Sequence, residues 1–196
     1  MQQQSIEESV NEIFELYQKY GDEDYIGEPV SQVEHMCQAA QLAEAEGYSE
    51  ETILAAFFHD IGHFCENFMP VKQMDGFGVV DHEKLGADFL RSKGFSENIA
   101  SLVQNHVQAK RYLTWHFPSY CEQLSEASKK TLEFQGGMMT LEEAMLFESD
   151  KLFDQHIKLR RWDEKAKLEK QPMPPLQKYK DMAIRHLVAN QSVAEN

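Results

Sequence analysis

Apolar side chains recur along most of the chain at the three- and four-residue spacing of an amphipathic α-helix. In the segment that His82 opens, for example, Leu85 and Phe89 follow at i+3 and i+7. No segment alternates apolar and polar residues as a half-buried strand does. The pattern therefore predicts an all-α fold. The predicted helices cover residues 5–20, 31–47, about 50–64, 82–94, the segment between Ser96 and Pro118, 125–134, 140–148, 151–167 and about 176–188.

Capping residues and breakers mark the ends of these helices. Ser5 with Glu8, and Ser31 with Glu34, have the spacing of a capping box. Glycines and prolines indicate a loop over 21–29 and a longer one over 65–80. Long loops inside compact domains are often functional. Residues 171–175 hold three prolines and are predicted to be a linker.

Length and composition limit the classes of function. The 196 residues, 42% of them hydrophobic, indicate one domain over 1–196. The net charge of −14 argues against nucleic acid or an anionic membrane as a partner. No apolar run is long enough to span a bilayer, and the polar start of the chain is unlike a secretion signal. Three widely spaced cysteines favour reduced thiols and a cytoplasmic location.

The chemistry-bearing residues are histidines at apolar positions. The doublet His59-Asp60 ends an apolar helix, and His35, His82 and His106 each lie on the predicted core face of another helix. Any one of them alone could be a buried histidine satisfied by hydrogen bonds. Together they indicate metal ligation, because a buried imidazole is costly unless something binds its ring nitrogens. The carboxylate of Asp60 has two oxygens and can bridge two metal ions.

Asp163 completes the set of candidate ligands. It shares one helix face with His156 and Leu159, so the pattern predicts that its carboxylate points inward. A buried carboxylate needs a partner. A metal ion would neutralise it, and a salt bridge to Arg160 or to a lysine is the alternative.

The order H…HD…H…H…D resembles the HD-domain superfamily of helical metalloenzymes. The resemblance implies a single helical bundle with a dinuclear metal site in its core. By that pattern one metal would be held by His35, His59, Asp60 and Asp163. His82 and His106 would hold the second, with Asp60 bridging the two.

Four further stretches, 24–28, 106–113, 124–137 and 160–165, resemble the phosphonate-cleaving branch, the mixed-valent diiron oxygenases. The likeness runs from about residue 25 to 167. It implies two iron ions (Fe²⁺/Fe³⁺), O₂ as co-substrate and cleavage of the C–P bond of a 1-hydroxyphosphonate in phosphonate catabolism. The favoured substrate is 2-amino-1-hydroxyethylphosphonate, which would yield glycine and phosphate. The ligand types alone would also accept Mn or Zn.

The same resemblance assigns substrate contacts. Lys110, Ser128, Thr131 and Arg160 would bind the phosphonate, and Gln135 lies one turn further on. Lys110 follows His106 by one helical turn, so its ammonium can reach an anion bound to a metal there. The alternative for such residues is a solvated polar face.

Tyr25 and Glu28 lie in the loop before the first ligand helix. In the family such residues act as a movable lid near the metal and the substrate amine; an ordinary acidic turn is the alternative. His63 lies one turn beyond His59 and would orient the substrate or a bound oxygen species, or support a ligand. His116, His156 and His186 are interpreted as structural or surface residues.

Two other functions remain open from the residues. The main rival is a metal-dependent phosphohydrolase, a nucleotidase or phosphodiesterase, on the same scaffold. A non-catalytic metal-binding module is the third. The substituent of the hydroxyphosphonate (amine, trimethylammonium or hydrogen), the stereochemistry and the oligomeric state are not determined by the sequence.

Overall fold

The computed structural model describes residues 3–25 and 27–194, and within them the fold is all-α, as predicted. The α-helices are α1 (Gln3–Tyr20), α2 (Gln32–Ala45), α3 (Glu50–Phe58), α4 (His82–Ser92), α5 (Glu97–His116), α6 (Pro118–Gln123), α7 (Glu126–Phe134), α8 (Leu141–Glu148), α9 (Phe153–Lys165) and α10 (Gln177–Ala194), and a 3₁₀ helix spans Ile61–Asn67. Among the described residues no helix is both long and apolar enough to cross a membrane.

Helix α5 is central, because it packs against α3, α4 and α9, while α2 packs against α3 and α9. An aromatic group fills the core between α1, α3 and α10: Tyr17 and Tyr179 stack on the two sides of Phe57, with ring centroids 4.7 and 4.3 Å away. Stacked aromatic pairs contribute about 0.5–1.5 kcal/mol each beyond their burial. The same core includes buried side chains of α2, α5 and α9, the helices that carry His35, His106 and Asp163.

Several predicted helix starts are confirmed. Ser31 caps α2 with a complete capping box: its Oγ accepts from the Glu34 amide at 3.4 Å, and Glu34 Oε2 accepts from the Ser31 amide at 2.8 Å. Ser96 and Ser125 cap α5 and α7 by a single hydrogen bond each, since their Oγ atoms accept from the amides of Ile99 and Ser128. These caps fix where the helices begin, and therefore the direction in which His35 projects one turn later.

The predicted capping box of Ser5 and Glu8 is wrong. Helix α1 already includes Gln3, so Ser5 lies inside the helix rather than at its start. Gln3 and Gln4 are good helix formers, and the earlier start continues the face on which Ile6 and Val10 are buried.

The predicted helix over 50–64 is also wrong in its second half. Helix α3 ends at Phe58, and Asp60 leaves helical geometry with φ −104° and ψ 10° before the 3₁₀ helix begins at Ile61. The chain tightens here because Gly62 lies against the start of α4. The His-Asp doublet therefore lies at the end of α3, as the sequence predicted.

Three further boundaries differ from the predictions. Helix α6 was not predicted, although Pro118 occupies its first turn, where proline is favoured. Helix α9 begins and ends two residues inside the predicted range of 151–167. Helix α10 continues past Val188 to Ala194.

Candidate metal centre

Four histidines meet in two pairs at the centre of the fold. His35 Nε2 lies 3.0 Å from His59 Nε2, and His82 Nε2 lies 3.1 Å from His106 Nε2. All four residues are at most 4% exposed. On the opposite edge of each ring, Nδ1 contacts a backbone carbonyl oxygen. The pairs are His35 with Ala166 (2.9 Å), His59 with Ala56 (2.8 Å), His82 with Val79 (3.2 Å) and His106 with Val103 (2.7 Å).

These contacts fix the tautomers. A carbonyl oxygen only accepts, so each Nδ1 must be the donor, and in the neutral ring Nε2 is then a bare lone pair. Two lone pairs that face each other at about 3 Å repel unless a cation lies between them. Ligand atoms bound roughly 2.1 Å from one ion are about 3 Å apart at right angles, which fits both pairs. The donor set therefore fits two transition-metal ions.

Asp60 lies between the two pairs and presents one oxygen to each. Its Oδ1 is 3.4 Å from His82 Nε2 and 3.5 Å from His106 Nε2. Its Oδ2 is 3.3 Å from His59 Nε2 and 3.6 Å from His35 Nε2. Oδ2 is buried without a hydrogen-bond partner among the described residues. This is the arrangement that a bridging carboxylate requires.

Asp163 combines the two roles that the sequence left open. Its Oδ1 faces the first pair, 3.4 Å from His35 Nε2 and 3.9 Å from His59 Nε2. Its other oxygen accepts a hydrogen bond from Arg160 Nη1. His35, His59 and Asp163 thus form a three-ligand group, all buried.

His63 lies beside the second pair but has the other tautomer. Its ring stacks on His82 at 4.1 Å, and its ligating atom groups with those of Asp60 and His82. However, His63 Nδ1 accepts from the Val79 amide at 3.2 Å, so in the neutral ring Nε2 carries the proton. Burial, with the positive charge of His82 next, lowers the pKa of His63 to about 3, which keeps the ring neutral. This geometry suits a hydrogen-bond donor better than a ligand.

The charges of the centre favour cation binding. Burial raises the pKa of Asp60, but His59 and His82 outweigh it and hold that pKa well below its usual range. Burial lowers the pKa of His59, but the opposing effect of Asp60 and Asp163 is larger in sum and raises that pKa to about 9. The carboxylates that favour a positive charge on His59 would equally favour a metal ion beside its Nε2.

A cavity of about 70 Å³ opens beside the histidines. That is several times the ~10–15 Å³ that one water molecule requires, and it suits a small ligand. Lys110, only 3% exposed, donates from Nζ to Thr131 Oγ1 at 2.8 Å within it. Burial lowers the pKa of Lys110 well below its usual value, and the charge of Arg160 adds to this effect. The predicted residues Tyr25, Glu28, His63, Lys110, Ser128, Thr131, Gln135 and Arg160 all line this cavity.

Besides Asp60 Oδ2, three polar atoms of the cavity residues are buried without a hydrogen-bond partner among the described residues. They are Gln32 Oε1, Gln135 Oε1 and Arg160 Nη2. An unsatisfied buried polar group costs about 1–3 kcal/mol. A polar ligand with both donor and acceptor groups would satisfy these atoms, so the cavity is suited to such a ligand.

The loop before α2 covers the first histidine pair. The ring of Tyr25 stacks on His35 with centroids 4.0 Å apart and planes 13° apart. Burial raises the pKa of Tyr25 well above its usual value, and Asp60 and Asp163 add to this effect. Ile26, within the family-like stretch 24–28, lies outside the described residues.

Sequence reasoning missed several residues that line the cavity: Gln32, Met74, Phe77, Gly78, Val107, Ala127 and Lys167. Gln32 could have been found, because it precedes His35 by three positions on the same helix face. Lys167 follows the end of α9, and no local motif marks it.

The remaining histidines do not line the cavity. His156 is fully buried, stacks on Phe147 and lies 3.5 Å from Asp150. His186 Nε2 accepts from the Ser96 amide at 3.2 Å.

The sequence is similar to those of several known proteins. The HD domain family matches residues 33–153, more than half of the chain. A protein of Leisingera caerulea named [1-hydroxy-2-(trimethylamino)ethyl]phosphonate dioxygenase (glycine-betaine-forming) is 43% identical over 78% of this chain and 76% of its own length. A hydroxymethylphosphonate dioxygenase of Gimesia maris is 39% identical over 88% and 85% of the two chains. An uncharacterised protein of Acanthamoeba polyphaga mimivirus, L432, is 45% identical over 94% and 84%.

The chain therefore belongs to the HD-domain family and, within it, to the HD-domain phosphonate oxygenases. The family resemblance predicted from the sequence is confirmed.

Proposed function

We propose that this protein uses O₂ to cleave the C–P bond of a 1-hydroxyphosphonate, releasing a carboxylic acid and phosphate. The substrate that we favour is 2-amino-1-hydroxyethylphosphonate, which would give glycine. The observation that carries the proposal is the pairing of four Nε2 lone pairs around Asp60, directly beside a cavity that holds Lys110 and Arg160. Two relatives whose names denote hydroxyphosphonate dioxygenases support it. We place the reaction in phosphonate catabolism in the cytoplasm.

The residues at the centre fit two iron ions. His35, His59 and Asp163 would hold one, His82 and His106 the other, with Asp60 between them. Four imidazoles and two carboxylates suit a transition metal better than Mg²⁺ or Ca²⁺. When bound, a ferrous and a ferric ion would supply activation of O₂ and the oxidising power that removes hydrogen from C1.

The phosphonate would bind at the cationic side of the cavity. Lys110 Nζ, already oriented by Thr131, can donate to one phosphonate oxygen, and the unpartnered Arg160 Nη2 to another. Charge-assisted hydrogen bonds of this kind are short and about twice as strong as neutral ones. Because both cations are buried, their attraction for the substrate is weakly screened. Gln135 and Ser128 complete this side.

The other end of the substrate would lie toward the loop that holds Tyr25 and Glu28. A carboxylate there can accept a hydrogen bond from a cationic substituent. The Tyr25 ring covers His35, so Tyr25 would have to move if a ligand is to reach that metal position. His63 would donate from Nε2 to the substrate or to an oxygen species.

The stoichiometry of the proposal balances. RCH(OH)PO₃²⁻ and O₂ give RCOOH and HPO₄²⁻, so both atoms of O₂ enter the products and the C–P bond breaks. A phosphohydrolase on the same scaffold would consume water and no O₂. Oxygen consumption therefore separates the two functions.

The test is turnover of racemic 2-amino-1-hydroxyethylphosphonate by the iron-loaded protein in an oxygen-electrode cell. We expect O₂ consumption, phosphate and glycine in a 1:1:1 ratio, and none of these with Asp60→Asn. Phosphate release under nitrogen at the same rate would contradict the proposal and favour a hydrolase.

A further inference from the structure

A partly buried ion pair lies at the substituent end of the cavity. Lys167 Nζ donates to Glu28 Oε1 at 2.5 Å, and Ser125 Oγ donates to the same oxygen at 2.6 Å. The side chains of Lys167 and Glu28 are only 16% and 9% exposed. Lys167 Nζ also lies 5.9 Å from the centre of the Tyr25 ring. The carboxylate that faces the cavity is therefore already neutralised by a cation of the protein itself.

This ion pair connects the loop to the phosphonate side of the cavity. Ser125 caps α7, and its Oγ accepts from the Ser128 amide at 3.2 Å while it donates to Glu28. Gly27 lies close to the same helix, because a Cβ added there would be 2.8 Å from Ala127 Cβ. The position of Glu28 is thus set by α7 on one side and by Lys167 on the other.

The two named dioxygenases differ in this part of their substrates, one carrying a trimethylamino group and the other carrying hydrogen. A substrate with a cationic substituent must displace Lys167 from Glu28 before it can use that carboxylate. A substrate without a charge leaves the pair intact.

We propose that Lys167 determines the substituent that the enzyme accepts, by competing with the substrate cation for Glu28. The inference rests on the proposed function, and it deepens that function. Removing the ammonium leaves Glu28 as a free carboxylate, which strengthens binding of a cationic phosphonate. It weakens binding of a phosphonate whose substituent is uncharged, because the Glu28 carboxylate, without its counter-ion, then repels the phosphonate group.

The most direct test uses two unreactive probes, 2-aminoethylphosphonate and ethylphosphonate, which differ only in the ammonium group. Calorimetry on the metal-loaded protein gives the ratio of their affinities. For Lys167→Met we expect this ratio to shift about tenfold toward the amine, the change that one charge-assisted contact of roughly 1.4 kcal/mol gives. Lys165→Met is the matched control, since that lysine is exposed, does not line the cavity and should leave the ratio unchanged.

A second variant separates charge from packing. In Lys167→Met/Glu28→Gln, no charge remains for an ammonium to meet, so the ratio should fall to or below the wild-type value. If Lys167 only supports the fold, Lys167→Met weakens the binding of both probes equally. An unchanged ratio of the two affinities therefore overturns the proposal.

The outcomes also distinguish this proposal from the function on which it rests. If the ratio of the two probe affinities is the same in the wild-type protein and in Lys167→Met, the proposed role of Lys167 is wrong, while the proposal of C–P cleavage is unaffected. Binding with the expected shift, but no turnover of any 1-hydroxyphosphonate, upholds Lys167 and overturns the proposed reaction. No binding of either probe to the wild-type protein overturns both.

Discussion

Gly62 lies so close to His82 that no side chain fits between them. A Cβ added at Gly62 would be 1.8 Å from the carbonyl oxygen of His82 and 2.9 Å from the amide nitrogen of Gly86. The 3₁₀ helix that follows the His-Asp doublet therefore meets the first turn of α4 backbone to backbone. This approach brings the oxygen of Asp60 to 3.4 Å from His82 Nε2. A glycine three residues after His59 thus joins the two halves of the metal centre.

Gly62→Ala should separate these halves. The methyl group must displace backbone, which typically costs about 1–3 kcal/mol or more. We expect a lower melting temperature together with reduced metal content, measured by thermal unfolding and elemental analysis. Gly47→Ala is the control, because Gly47 has φ +78° but nothing within 4 Å of the added Cβ. It should lower stability without changing metal content; equal metal loss in both variants would contradict the account.

Asp60 and Asp163 should differ in their effect on metal stoichiometry. Asp60 contacts both histidine pairs, whereas Asp163 contacts only the first pair, His35 and His59, among the four described histidines. We therefore expect Asp60→Asn to weaken the binding of both metal ions. Asp163→Asn should weaken the binding of only one, so that this variant retains about one metal ion per chain. Elemental analysis after gel filtration measures this. Asp150→Asn, beside His156 and away from the cavity, should keep two ions. Loss of both ions from Asp163→Asn would refute the division into two sites.

Tyr120 should act through Arg160. Arg160 Nε donates to the Tyr120 hydroxyl oxygen at 3.1 Å and to Glu164 Oε1 at 3.2 Å, which fixes the plane of the guanidinium. For Tyr120→Phe we expect KM for the phosphonate to rise roughly three- to tenfold, equivalent to about 0.7–1.4 kcal/mol, with a smaller change in kcat. Tyr179→Phe removes a buried hydroxyl that donates to Cys37 O, and neither residue lines the cavity, so this variant should leave KM unchanged. A fall in kcat with no change in KM would show that Tyr120 does not contribute to binding of the phosphonate.

One pH effect should be independent of the metals. The backbone amide of Thr140 and then Arg111 lower the pKa of Glu143 from 4.5 to about 2. Because the folded pKa is depressed, this stabilisation is present above pH 4.5 and is lost as the pH falls toward 2. The melting temperatures of the wild-type protein and Glu143→Gln should differ at pH 7 and converge near pH 2. Glu142→Gln, an exposed neighbour, is the control; a constant gap between wild type and Glu143→Gln would exclude this role.

The sequence could predict most of the helices and the burial of the candidate ligands, because both depend on local spacing. His35, His82 and His106 lie at apolar positions of strong helical patterns, so their burial followed from periodicity alone. The ending of α3 at Phe58 could not be predicted, because it depends on contact between Gly62 and His82 across 20 residues of sequence. The early start of α1 was missed because Ser5 has the local signature of a cap.

Residues that act through tertiary contacts left no local signal. Lys167 belongs to the site only because the end of α9 meets the loop that holds Glu28, 139 residues away. Similarly, Tyr120 lies in a short helix that the sequence pattern did not predict, and its partner Arg160 is 40 residues away. The tautomer of His63, which separates it from the four candidate ligands, depends on a backbone amide in another loop.

The central claim is that both atoms of O₂ enter the products as the C–P bond breaks. The most direct measurement is turnover of 2-amino-1-hydroxyethylphosphonate under ¹⁸O₂ in ordinary water, with mass spectrometry of the glycine and the phosphate. We expect two ¹⁸O atoms per turnover in the glycine and the phosphate together, and no ¹⁸O in the products of a parallel reaction under ¹⁶O₂ in H₂¹⁸O. Phosphate formed at the same rate without label under ¹⁸O₂, and labelled instead from H₂¹⁸O, would contradict the account and assign the centre to hydrolysis.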